Sequence, residues 1–162
     1  MDNGTRPIKE AADDFLSHQR IAVTGVSRDG SEHGSNSVYK RLRDRGFEVF
    51  AVNPNAETVE GDRAYPSLKS IEGGIDAVVI GTKPERAQGT MEECVDLGIR
   101  NVWMHRSIGK GSVSPEAASF GRANGVHVID GGCPLMFEPC SDGAHKAMKW
   151  VFTMTGSVPK KV

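Results

Sequence analysis

The chain has 162 residues, 38% apolar and 25% charged, with a formal net charge of −1. That length suits one domain of ordinary size, and the balance excludes disorder and lacks the basic surplus of a nucleic-acid binder. No apolar run approaches the roughly 18 residues of a membrane span, the first residues lack the layout of a signal peptide, and Cys94, Cys133 and Cys140 have no framework spacing. These features predict a cytoplasmic protein with reduced thiols that engages neither membrane nor nucleic acid. Glycine is in surplus, 19 of 162 residues against an average of about 7%.

Residues 1–19 read as an N-terminal extension, with Ile8, Ala11, Ala12, Phe15 and Leu16 at the spacing of a short amphipathic helix. Residues 21–26 form an apolar run ending near glycine, as a strand buried on both faces does. A polar loop over 27–34 follows, then a helix to about Arg45 capped by Ser35 or Asn36. Residues 48–54 predict a second strand stopped by Asn53-Pro54, with a brief strand near Arg63 and a turn of helix after Pro66. Residues 76–81 are a third clear strand, and Pro84 opens a helix running to about Leu97. Further strands fall at 101–104 and 126–129, on either side of a helix from Ser114 to about Ala123. The last helix spans roughly 141–154, where Ala147, Met148, Val151, Phe152 and Met154 make an apolar stripe suited to packing on the sheet or to a homodimer contact.

Alternating strands and helices predict an α/β fold: one doubly wound parallel sheet of about five strands with helices on both faces, Rossmann-like in type. Residues 1–162 are expected to form a single domain, with 137–162 a helical elaboration of it. Gly46, Gly98, Gly125 and Gly156 fall where helices stop. Gly25, Gly30, Gly34, Gly81, Gly131 and Gly132 gather instead at the expected strand ends.

Open parallel sheets bind ligands beyond the carboxyl ends of their strands. That rule selects Gly25-Val26-Ser27, Asn53-Pro54, Gly81-Thr82-Lys83, His105-Arg106 and Gly131-Gly132-Cys133. The turn after the first strand, with its glycines and the hydroxyls of Ser27 and Ser35, suits a phosphate, because glycine permits close backbone approach and a helix start attracts anions. Its spacing matches neither the dinucleotide fingerprint nor a Walker loop, since Ser31-Glu32 stands where Lys-Ser or Lys-Thr is needed. The end of the second strand is Asn53-Pro54, without the carboxylate that holds the ribose of NAD.

Several stretches in order then resemble one family. These are residues 21–27, 46–54, 61–68, 75–80, 98–104 and 125–134, including Val52-Asn53-Pro54 and Val102-Trp103-Met104 at strand ends. The chain is similar to stand-alone CoA-binding proteins and to the N-terminal CoA-binding domain of the succinyl-CoA synthetase alpha subunit. The resemblance implies that coenzyme A is the cofactor. It implies a pyrophosphate held by Gly25, Val26 and Ser27 with Ser35 and Asn36, an adenosine near Asn53 and Pro54, and an adenine and pantetheine path along Gly81, Thr82 and Lys83. Relatives often carry a basic residue just after Asn-Pro. This chain has Asn55 there, which leaves Arg28 or Lys40 to meet the 3′-phosphate.

The synthetase reaction needs a second domain with a phosphorylated histidine, which these 162 residues have no room for, so the resemblance implies CoA binding without ligase chemistry. Gly-x-Ser-x-Gly is missing. Cys133, at the end of the last strand, supplies an alternative: an enzyme of acyl-CoA or CoA disulfide acting through this thiol, against the plainer reading of a small buried hydrophobe. A further alternative is an NAD(P)-binding or nucleotide-sensing protein with a protein partner. Cys133, Cys140 and His145 lack the spacing of a metal site, so no metal is expected.

Overall fold

A computed structural model describes residues 6–30, 34–107 and 109–162. The chain folds in the order α1 (Ile8–Phe15), β1 (Arg20–Thr24), α2 (Gly34–Asp44), β2 (Glu48–Val52), β3 (Thr58–Val59), β4 (Asp62–Tyr65), β5 (Ala77–Ile80), α3 (Pro84–Asp96), β6 (Asn101–Met104), α4 (Pro115–Ala123), β7 (His127–Asp130) and α5 (Gly143–Thr155). Short 3₁₀ turns lie at Leu68–Ser70 and Pro134–Met136. The seven strands form one sheet in the order β3-β4-β2-β1-β5-β6-β7. Only the β3–β4 pair is antiparallel. The chain moves outward from β1 through β2 to β4, then returns to lay β5 on the other side of β1. Strand order therefore reverses between β1 and β5.

Helices cover both faces because the strand side chains alternate. Ile21, Val23, Ala77, Val79, Trp103 and Ile129 point to the face that carries α1 and α2. Ala22, Val78, Ile80, Val102, Met104 and Val128 pack under α3 and α4. This two-sided burial is why β1 and β5 read as unbroken apolar runs. The basic face of α2 also holds neighbouring elements. Arg43 pairs with Asp62 at 2.6 Å, and Arg41 bonds Asp142, the N-cap of α5, at 2.8 Å. With Arg41 and the His145 N–H both donating to it, the Asp142 carboxyl is held far below the usual carboxylate range, the His145 bond contributing most.

The expected sheet of about five strands has seven. β4 is the brief strand near Arg63, and β3 adds two residues, too few to show any period. β1 stops at Thr24 rather than Val26, because Gly25 turns the chain at φ +77°. Ser35 and Asn36 do not cap α2; they lie buried within its first turn. The apolar stripe on α5 is divided. Met148 and Phe152 pack against the core, whereas Trp150 and Met154 stand 69% and 71% exposed. Gly46, Gly98, Gly125 and Gly156 all take positive φ just past helix ends, as expected. Among the described residues, no helix is long and apolar enough to cross a membrane.

Candidate functional site

Beyond the carboxyl ends of β1, β2, β4 and β5, on the side of α3, the sheet opens into a cleft of about 300 Å³. One wall is the turn from Thr24 to Ser27, a second is Val52 through Asn55, and the floor toward β4 is Pro66 to Leu68. The third wall is Thr82 with Arg86, Thr90 and Glu93. The cleft thus lies where strand order reverses, the position at which open α/β sheets take ligands.

The strand ends are stitched together by side chains. Gly25 and Gly81 lie so close that a Cβ on Gly25 would come within 2.5 Å of the Gly81 carbonyl oxygen. The Gly81 N–H donates to Thr24 Oγ1 at 3.1 Å, and Ser35 Oγ donates to the Gly81 carbonyl at 3.0 Å. Asn36, fully buried, accepts from the Ser27 N–H and donates to the Ser27 carbonyl, both at 2.8 Å. It also donates to Glu60, at the β3–β4 turn, where Glu60 takes φ 51°. Asn53 Nδ2 donates to the Val26 carbonyl at 2.9 Å, and Asn53 Oδ1 accepts from the Asn55 N–H at 2.8 Å.

Of the residues singled out from sequence, Gly25, Val26, Ser27, Asn53, Pro54 and Thr82 line the cleft together. Ser35, Asn36 and Gly81 stand behind it, their polar groups bonded to the protein itself. Arg28 and Lys83 are exposed and outside the cleft wall. Lys40 is 3.7 Å from Glu60. The glycines expected to admit a ligand are mostly approached by the chain: Gly30 by Glu60, Gly34 by His105, and Gly131 by Ser157 and Pro159.

Arg86, Thr90 and Glu93 were not selected from sequence. They recur at i, i+4 and i+7, directly beside the buried Ala87, Met91 and Cys94, so one polar stripe of α3 borders the cleft. That stripe was the available signal. Thr82 Oγ1 is buried, borders the cleft and has no hydrogen-bond partner among the described residues. A buried hydroxyl at a cleft wall is left to bond whatever enters the cleft, a water or a ligand atom.

Two other candidates lie outside the cleft. Cys133 is 3% exposed in the core beneath α1 and α2, and burial pushes its thiol up to about 12. A reactive cysteine needs the opposite shift. Cys133 in the native protein is expected to react with a disulfide reagent at least about a hundredfold more slowly than free cysteine. A timed thiol titration in buffer and in denaturant checks this, and rapid native labelling at Cys133 would contradict it. His105 is 9% exposed, and burial, helped by nearby His145, lowers its pKa to about 4, so the ring is neutral at pH 7. Among the described residues no three His, Cys, Asp or Glu side chains are grouped to hold a metal.

Residues 19–139 match the CoA binding domain family, a span running from the start of β1 past β7. The chain is 34% identical over 111 residues to the uncharacterized protein YneT of Bacillus subtilis, covering 68% of this chain and 78% of that protein. It is 35% identical over 91 residues, 56% of its length, to the alpha subunit of ADP-forming acetate–CoA ligase II of Pyrococcus furiosus, of which it spans only 20%. A solved structure of a hypothetical protein from Pyrococcus horikoshii superposes with TM-score 0.72 at 29% identity, covering 81% of this chain and 92% of that one.

Proposed function

The chain belongs to the CoA binding domain family, and from that premise we propose that it binds coenzyme A, free or acylated, in the cleft beyond β1, β2, β4 and β5. The observation that carries this reading is the family match over 19–139, a span that includes every wall of the cleft. The adenosine end lies between Asn53–Pro54 and Thr82 and supplies the partner that the buried Thr82 hydroxyl lacks. The pyrophosphate lies at the Gly25-Val26-Ser27 turn, which Ser35, Asn36 and Gly81 hold in shape. The pantetheine arm leaves along Lys83 toward solvent. A volume of about 300 Å³ suits one end of so long a ligand. The neutral Asn53-Pro54 at the end of β2 disfavours NAD, whose ribose hydroxyl calls for a carboxylate there.

Titration calorimetry with CoA, acetyl-CoA, NAD, NADP and ATP tests the reading. CoA or acetyl-CoA is expected to bind most tightly. NAD binding more tightly than either overturns the proposal.

A further inference from the structure

The cleft holds one basic side chain among its described lining residues, Arg86, and one acidic one, Glu93. Arg86 is exposed, in the first turns of α3, and its guanidinium makes no hydrogen bond or ion pair among the described residues. Glu93 lies two turns further along the same stripe, its Oε1 accepting from the Lys69 N–H at 3.1 Å. Across the cleft, Pro54-Asn55 carries no charge. The end of β2 is where a doubly wound sheet places the ribose of a nucleotide. A phosphate monoester on that ribose is a dianion and needs a cation within reach. Arg28 lies outside the cleft wall, and Lys40 is engaged by Glu60.

We propose that Arg86 is the specificity-determining residue for a phosphate monoester on the ligand's ribose, a role that rests on the CoA reading above. The guanidinium offers a planar fork that matches two phosphate oxygens at once. Glu93 repels a phosphate from the far end of the stripe and so confines it to the Arg86 end. Helix α3 thereby does the work that a basic residue after Asn-Pro would do from the β2 side.

Calorimetry on the wild type and Arg86→Ala with CoA and dephospho-CoA, and with NADP and NAD, tests this. The wild type is expected to prefer CoA over dephospho-CoA by about tenfold or more, the scale of a charge-assisted pair. Arg86→Ala is expected to bring CoA down to within about twofold of dephospho-CoA, with dephospho-CoA binding and the thermal midpoint unchanged. A variant that keeps the wild-type preference overturns the role of Arg86 and leaves the CoA reading standing. A wild type that binds neither compound overturns that reading and the proposal with it. Should NADP bind more tightly than CoA, with its preference over NAD lost in Arg86→Ala, the phosphate subsite stands and CoA is the wrong source of the phosphate.

Discussion

Gly25→Ala is expected to destabilise the protein by about 2–5 kcal/mol, combining the strain of a left-handed residue with overpacking. The two penalties are independent. Gly25 takes φ +77°, and its absent Cβ would meet the Gly81 carbonyl oxygen at 2.5 Å and the Thr82 nitrogen at 2.9 Å. Both are backbone atoms tied into the end of β5, so neither can swing aside. Gly81→Ala closes the same gap from the other side, against the Thr24 carbonyl at 2.6 Å and the Ser35 side chain. The two substitutions share their contacts, so their effects are expected not to add. Gly89→Ala is the matching control. Gly89 lies within α3 with nothing near its Cβ position, so alanine there should stabilise by about 0.5–1 kcal/mol. Urea unfolding of the three variants decides the matter: a loss below about 1 kcal/mol for Gly25→Ala would show that the strand ends are not locked together.

That lock explains why the strand-end glycines were legible as a group yet ambiguous in role. A glycine at a strand end says that some backbone comes close; it does not say whether the atoms belong to a ligand or to the chain. At Gly25 and Gly81 they belong to the chain, and the cleft wall is built one layer further out by Ser27, Asn53 and Thr82. Asn36 has the same ambiguity. A polar residue beside a helix start reads as a cap or a ligand donor, but three hydrogen bonds commit it to holding the Ser27 turn and the β3–β4 hairpin.

The sheet was more legible than the cleft. Apolar runs at 21–23, 77–80 and 102–104 announce strands buried on both faces, and their spacing through helices implies parallel pairing. The β3–β4 hairpin gave little sign, because β3 has two residues and its two-residue tip, Glu60-Gly61, puts glutamate rather than asparagine, aspartate or glycine at the first positive-φ position. The Arg86, Thr90 and Glu93 stripe could be seen as one helix face, but a polar helix face is ordinarily a solvated one. Only the placement of β5 beside β1 shows that this face looks onto a cleft.

Trp103→Ala is expected to cost about 3–5 kcal/mol, the range for removing a large buried aromatic side chain. Trp103 is fully buried near the middle of β6, between elements distant in sequence. Phe15 of α1 meets its ring edge-on at 5.3 Å, and Phe137, beyond β7, packs at 5.5 Å. Its indole N–H donates to the Gly131 carbonyl at 2.9 Å, which fixes the turn after β7. Alanine would leave a cavity under α1 and an unpaired carbonyl beside the Cys133 segment. Trp103→Phe separates the two effects. It keeps most of the ring contact and loses only the donor, for an expected cost of about 1–3 kcal/mol. At about 2–4 °C per kcal/mol for a chain of this size, the alanine variant should melt roughly 6–20 °C lower. The other tryptophan, Trp150, is 69% exposed, so acrylamide should quench the remaining fluorescence of Trp103→Phe far more readily than the wild type's. Equal melting of Trp103→Ala and the wild type would mean that α1 and the Phe137 segment do not depend on this ring, and that β6 gains its stability from the α3–α4 face alone.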